Sequence, residues 1–205
     1  MHNDDGHACD GPLSERQCHI ASRGYWADLM LYPVLPIIMP TDLAGVPNGK
    51  LPAKLLRNIK TPNGQLHSLA ATAWNAMQLA AYFDGIELKH VGAYRPLSEQ
   101  MALFNNRYAL SPTGRKPQVT RTYLGKTWYL KKGLAMLATP GKSQHNLGIA
   151  VDVSTASGPR LAWMLANEHL YGFSHEVQSE PWHIRFTQGN QVPPAVAAFL
   201  AAKVA

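Results

Sequence analysis

The sequence predicts an α+β domain built around a small antiparallel sheet. Three observations carry this reading. Residues 66–83 hold one strongly periodic helix, with Leu66, Leu69, Ala70, Ala73, Trp74, Met77, Ala80 and Ala81 recurring on one face. The strand candidates are short, bounded by Gly and Pro, and do not alternate with helices as βαβ units do. Residues 119–124 and 127–130 flank Gly125-Lys126 and read as a β-hairpin.

Taken in order, residues 1–24 are polar, rich in His, Asp and Gly, and lack periodicity. They are read as a tail. His2, His7, Cys9, Cys18 and His19 cluster there, but their spacing matches no standard metal site, so a flexible terminus is expected. Residues 25–205 form the predicted domain. The stretch 25–52 is apolar and punctuated by proline, which favours extended segments and turns. Asp84-Gly85 ends the long helix. Residues 86–94 are a strand candidate that stops at Arg95-Pro96, and Ser98 offers an N-cap for a helix to about Tyr108. Residues 138–143 read as a turn, 147–153 as a strand, 159–170 as a helix closed by Gly172, and 182–186 as a strand. Residues 193–204 form a short alanine-rich helix.

Composition narrows the classes. The chain has 205 residues, 46% of them hydrophobic and 16% charged, which suits one folded domain and excludes bulk disorder. Two cysteines, both in the tail, exclude a disulfide scaffold and a four-thiolate zinc site. The net charge of +6 favours polyanionic surroundings, yet Lys and Arg are scattered and no nucleic-acid motif accompanies them. Residues 1–10 are polar and acidic, unlike a signal peptide, and residues 29–39 are too short and proline-broken to span a bilayer. The expectation is a monomer made in the cytoplasm without a signal, with no membrane insertion and no nucleic-acid partner.

Two segments carry chemistry: Ser143-Gln144-His145-Asn146-Leu147-Gly148-Ile149-Ala150-Val151-Asp152 and Glu180-Pro181-Trp182-His183. His145, Asp152 and His183 supply two neutral nitrogens and one anionic oxygen, the donor set of a catalytic zinc with an open position. Such a site lowers the pKa of bound water and polarises a carbonyl. Strand parity puts Ile149, Val151 and Val153 on one face and Gly148, Ala150 and Asp152 on the other. His145 has the wrong parity for a straight strand, so the chain is expected to bend near Gly148. In the second segment Trp182, Ile184 and Phe186 share a face opposite His183 and Arg185. Taken singly, each of these residues is more often structural, and the specificity lies in their conjunction.

That conjunction resembles the zinc peptidases that include D-alanyl-D-alanine carboxypeptidases of the vancomycin-resistance type and phage L-alanyl-D-glutamate endolysins. The first segment is similar to their Ser-x-His-x-x-Gly-x-Ala-x-Asp signature and the second to Glu-x-x-His. Gly92-Ala93-Tyr94-Arg95, followed five residues on by Gln100, is similar to a further family segment, as is Gly49-Lys50-Leu51-Pro52. The resemblance covers residues 48–190. It implies a hedgehog/DD-peptidase-like fold and one Zn2+ held by His145, Asp152 and His183. It also implies Glu180 as general base and Arg95 as oxyanion stabiliser. Gln100 would support Arg95 or the substrate, and Ser143 would bind a substrate carboxylate or carbonyl, or else cap its turn.

The implied reaction is hydrolysis of an amide in a peptidoglycan stem peptide, with no covalent intermediate. The missing signal favours a phage-type endolysin acting on the wall after release. A bacterial D-Ala–D-Ala carboxypeptidase is the alternative, and a non-catalytic zinc-stabilised binding module the rival from another class. Residues 105–142 are expected to form a lid or wall of the cleft, Trp182 to pack beneath the metal, and His175 to lie at the surface.

Overall fold

The computed structural model describes residues 31–60 and 63–202. The tail expected over 1–24, with Cys9 and Cys18, lies outside them. Four α-helices are present among the described residues: α1 (Ser68–Phe83), α2 (Leu97–Arg107), α3 (Gly158–Asn167) and α4 (Pro194–Ala202). Nine strands among the described residues form three antiparallel sheets. β1 (Leu56–Ile59) pairs with β2 (Gly64–His67), and β4 (Tyr108–Ala109), β5 (Thr120–Tyr123) and β6 (Lys126–Leu130) join in the order β4-β6-β5. The central sheet combines β3 (His90–Gly92), β7 (Ala150–Val153), β8 (Phe173–His175) and β9 (His183–Phe186), in the order β3-β7-β9-β8.

The core lies between α1 and one face of that central sheet. Helix α1 buries Ala70, Ala73, Trp74, Met77 and Ala81, and its small residues let the sheet approach closely. Trp74 meets Phe173 and His90 edge-on, with ring centroids 6.3 and 6.4 Å away. Ile149, Val151, Val153, Ile184 and Phe186 complete the layer at 1% exposure or less. Strand parity then sends the alternate residues of β7 and β9 to the opposite face, which is the floor of a cleft.

The element boundaries differ from the sequence reading where local hydrogen bonding overrides periodicity. Leu66 and His67 belong to β2, because their backbones pair with Arg57 and Leu56, so α1 begins at Ser68. Helix α2 starts at Leu97, since the Gln100 amide bonds the Pro96 carbonyl, which places Ser98 inside the first turn rather than at the cap. The strand expected over 86–94 shrinks to three residues with a register shift between His90 and Gly92. The hairpin turn falls at Leu124-Gly125, at φ +50° and +70°, the signature of a two-residue primed turn. Helix α3 gives way to a tighter turn over Glu168–Tyr171, which Gly172 ends at φ +79°. Residues 105–142 form the β4-β6-β5 sheet on a second small core of Phe104, Tyr108 and Leu130.

The expected bend at Gly148 is present. Gln144–Leu147 form a 3-10 turn, and Gly148 closes it at φ +67° before β7 begins. Its carbonyl accepts from the His67 amide at 2.8 Å, and a Cβ at Gly148 would lie 2.8 Å from that same nitrogen. Backbone strain and a steric clash therefore coincide at this position. The expected result for Gly148→Ala is destabilisation by roughly 1–3 kcal/mol in urea unfolding, larger than for Gly114→Ala, which carries the backbone strain of a positive φ but meets no neighbouring atom within 4 Å.

Candidate active site

The site is assembled by strand pairing. β7 and β9 run antiparallel with Asp152 directly opposite His183, so the two side chains stand together on the cleft face. His145 reaches them from the 3-10 turn. The Arg95 amide donates to the His145 carbonyl at 3.0 Å and the Asn146 side chain donates to the Arg95 carbonyl at 2.7 Å. These bonds sew the turn to the segment after β3. His145, Asp152 and His183 each offer one ligand atom, all within 4.8 Å of one another, and they are the one such group among the described residues.

Hydrogen-bond accounting shows what this arrangement suits. His145 Nε2 lies 3.2 Å from one Asp152 oxygen and His183 Nδ1 lies 2.8 Å from the other. At the far side of each ring a second acceptor waits: the Ala93 carbonyl 2.9 Å from His145 Nδ1, and Glu176 3.1 Å from His183 Nε2. A neutral imidazole has one N–H and satisfies only one of two acceptors. If the Ala93 carbonyl and Glu176 accept from those N–H groups, the lone pairs of His145 Nε2 and His183 Nδ1 converge beside a carboxylate. A divalent cation fits this donor set, with the outer acceptors fixing both tautomers.

The electrostatics follow the same contacts. Burial opposes the charged form of Asp152, but hydrogen bonds and the charges of His145 and His183 outweigh it and hold the carboxyl well below its usual range. Burial also opposes the His183 imidazolium, yet Asp152 and Glu176 push its pKa up to about 9. Glu176 is lowered by His183 and Arg185 in spite of its own burial. The backbone comes close too, because a Cβ at Gly92 would sit 2.7 Å from an Asp152 oxygen. Glycine at this bulge leaves the carboxylate its room.

The cleft above this floor holds about 400 Å³ and is lined by Arg95, Ser143 and Glu180 together with the three ligand candidates. Arg95 donates to Gln100 at 3.0 Å, and the fully buried Gln100 donates onward to the Ala138 carbonyl at 2.8 Å. Burial lowers the Arg95 pKa, and the charge of Asp152 partly restores it. Ser143 occupies the N-cap position of its turn, yet its side chain makes no capping bond. Glu180 is half-buried on the turn before β9, its amide bonded to Val177 and its carbonyl accepting from the His183 amide at 3.0 Å.

Two positions differ from the sequence reading. Trp182 is 40% exposed and lines the cleft, because β9 starts only at His183 and the preceding residue escapes strand alternation. His175 is fully buried: Glu168 accepts from its Nδ1 at 2.8 Å, and its Nε2 faces the Pro181 carbonyl at 2.9 Å. The Glu168 carboxylate also accepts from the His175 amide at 3.0 Å, and these contacts anchor the loop that carries Glu176 and Glu180. Sequence reasoning missed Glu176, Glu168 and the Ala93 carbonyl. Only their proximity to the motifs marked the first two, and a backbone acceptor leaves no mark in sequence.

The family model described as VanY, D-alanyl-D-alanine carboxypeptidase, matches residues 63–189. YodJ of Bacillus subtilis (strain 168) is 28% identical over 138 residues, covering 57% of this chain and 44% of YodJ. A D-alanyl-D-alanine carboxypeptidase of Enterococcus faecalis (strain ATCC 700802 / V583) is 25% identical over 122 residues, covering 52% of this chain and 42% of its own length. The chain thus spans less than half the length of either relative. Among solved structures, a mutant of the vancomycin-resistance D,D-pentapeptidase VanY in complex with Zn(II) is 20% identical, with TM-score 0.46, over 67% of this chain and 83% of its own. With more than half of its residues matched by the family model, this chain belongs to the VanY D-alanyl-D-alanine carboxypeptidase family.

Proposed function

We propose that this chain is a zinc carboxypeptidase that removes the terminal D-alanine from peptidoglycan stem peptides ending in D-Ala–D-Ala. The observation that carries the reading is the convergence of His145 Nε2, His183 Nδ1 and the Asp152 carboxylate, each imidazole backed by a second acceptor. The family match supports carboxypeptidase action. It gives no specific support to an internal, endolysin-type cut, so the endolysin preference yields to the carboxypeptidase reading.

In this reading His145, Asp152 and His183 would hold one zinc ion, and the ion would supply Lewis acidity toward the scissile carbonyl and activation of the attacking water. Glu180 accepts a proton from that water as its oxygen bonds the carbonyl carbon, then delivers the proton to the amine as the C–N bond breaks. Its carboxylate is suited to this because it lines the cleft beside the three ligand candidates. Arg95, held by Gln100, donates to the developing oxyanion, and its fixed charge gains strength in a half-buried site. Ser143, uncommitted to its turn, is available to a substrate carboxylate or carbonyl. Glu176 holds the His183 ring with Nδ1 toward the ligand cluster, and Arg185 in turn holds Glu176 at 3.0 Å.

Two outcomes are expected. Zinc-loaded protein incubated with pentapeptide stems should release one D-alanine, read by mass spectrometry. Glu180→Ala should retain zinc and lose at least about a hundredfold in rate, within the usual range for a general base. An internal cut that also depends on Glu180 would move the assignment to an endopeptidase. Glu176→Ala should weaken zinc affinity by about 10–100-fold, as loss of an outer partner does, in a competition titration with a chromogenic chelator.

A further inference from the structure

The lining of the cleft carries more positive charge than the reaction uses. Arg107 at the end of α2, Arg121 on β5 and Lys142 in the turn before the ligand segment all line the same cleft as His145 and His183. None of the three forms an ion pair with an acid among the described residues. Arg107 Nη1 is spent on the Ala135 and Met136 carbonyls, each at 3.3 Å, and so braces the cleft-lining segment. Arg121 bonds its neighbouring Thr120 carbonyl through Nη1, while Nη2 has only the Met136 sulfur at 3.9 Å. A guanidinium facing a thioether keeps donors available for a better acceptor.

The acids of the cleft are already engaged or assigned. Asp152 bridges His145 and His183, Glu176 is shared between His183 and Arg185, and Glu180 has the proton-transfer role. Arg95 is tied to Gln100 beside the metal floor and serves the oxyanion. Two cations on the wall, Arg121 and Lys142, therefore remain without a counter-charge among the described residues. Like charges gathered in one cleft repel one another, and an anionic ligand relieves that repulsion. The β5–β6 hairpin that presents Arg121 stands on its own small core of Phe104, Tyr108 and Leu130, which fixes the wall's shape.

Resting on the proposed peptidase reading, we propose that Arg121 and Lys142 form a carboxylate-binding wall that selects substrate peptides bearing a free carboxylate beside the scissile bond. That carboxylate has two sources in a stem peptide. One is the C-terminus of the leaving D-alanine; the other is the side chain of the residue preceding the D-Ala–D-Ala pair. Arg107 is a positioning residue here, bracing the segment 135–136 against which Arg121 lies.

The test uses full-length zinc-loaded protein carrying Glu180→Ala, so that peptides bind without being cut, and compares it with the same protein also carrying Arg121→Gln and Lys142→Gln. Four acetylated tripeptides, X–D-Ala–D-Ala with X glutamate or glutamine and the C-terminus free or amidated, are titrated by calorimetry. The wall predicts that the double replacement weakens carboxylate-bearing peptides about tenfold or more, the scale of one charge-assisted hydrogen bond. A loss confined to the glutamate peptides assigns the wall to the side-chain carboxylate; a loss confined to free C-termini assigns it to the leaving residue. Equal weakening of the glutamine amide, no weakening of any peptide, or no measurable binding before the replacements overturns the proposal. Hydrolysis by protein with Glu180 intact is scored separately. Selective binding without any cleavage would sink the peptidase reading and leave the wall standing.

Discussion

The Asp152–His183 cross-strand pair is the contact on which the rest of the site depends. Antiparallel pairing of β7 with β9 sets the two side chains opposite each other, and the 3-10 turn brings His145 to the second carboxylate oxygen. Three charged or ionisable groups then share a floor that is mostly removed from water. Such crowding is costly unless each group is paired and oriented, and here each imidazole has a defined acceptor on its outer side. Ala93 fixes one ring, Glu176 fixes the other, and Gly92 leaves space for the carboxylate.

The same logic extends outward in layers. Glu176 orients His183, and Arg185 balances Glu176. Glu168 and His175, both buried, reach the Pro181 carbonyl and steady the loop bearing Glu176 and Glu180. On the other side Gln100 holds Arg95 from a fully buried position. Rigid elements supply the ligand candidates while a buttressed loop and a helix start supply the groups proposed for proton transfer and charge stabilisation. A geometry of this kind favours catalysis because little reorganisation is required when charge develops. No helix among the described residues is long and apolar enough to cross a membrane.

Much of this was legible in the sequence, for identifiable reasons. The α1 face was readable because Ala70, Trp74, Met77 and Ala81 recur at helical spacing and all prove buried. The β7 parity was readable because Val151 and Val153 need the core while Asp152 does not. His145 required a bend, and a glycine stood where the bend occurs. What escaped was set by long-range contacts. Leu66 fits the helical period, yet β1 claims it for a hairpin. Trp182 fits the strand alternation, yet the strand begins one residue later. His175 reads as a polar surface residue until Glu168, seven positions earlier, is brought against it in the interior. Residue type and spacing cannot encode an acceptor such as the Ala93 carbonyl.

The central claim is that one metal ion is held by His145, Asp152 and His183, and zinc titration of the wild-type chain against Asp152→Ala tests it most directly. The account predicts one ion per chain for the wild type. It predicts an affinity loss beyond the ~100-fold ceiling typical of an outer partner when the Asp152 carboxylate is removed, with the fold retained by circular dichroism. Unchanged zinc uptake by a folded Asp152→Ala protein would contradict it, because the ion would then be held elsewhere and the convergence of the two imidazoles on that carboxylate would have no metal to explain it.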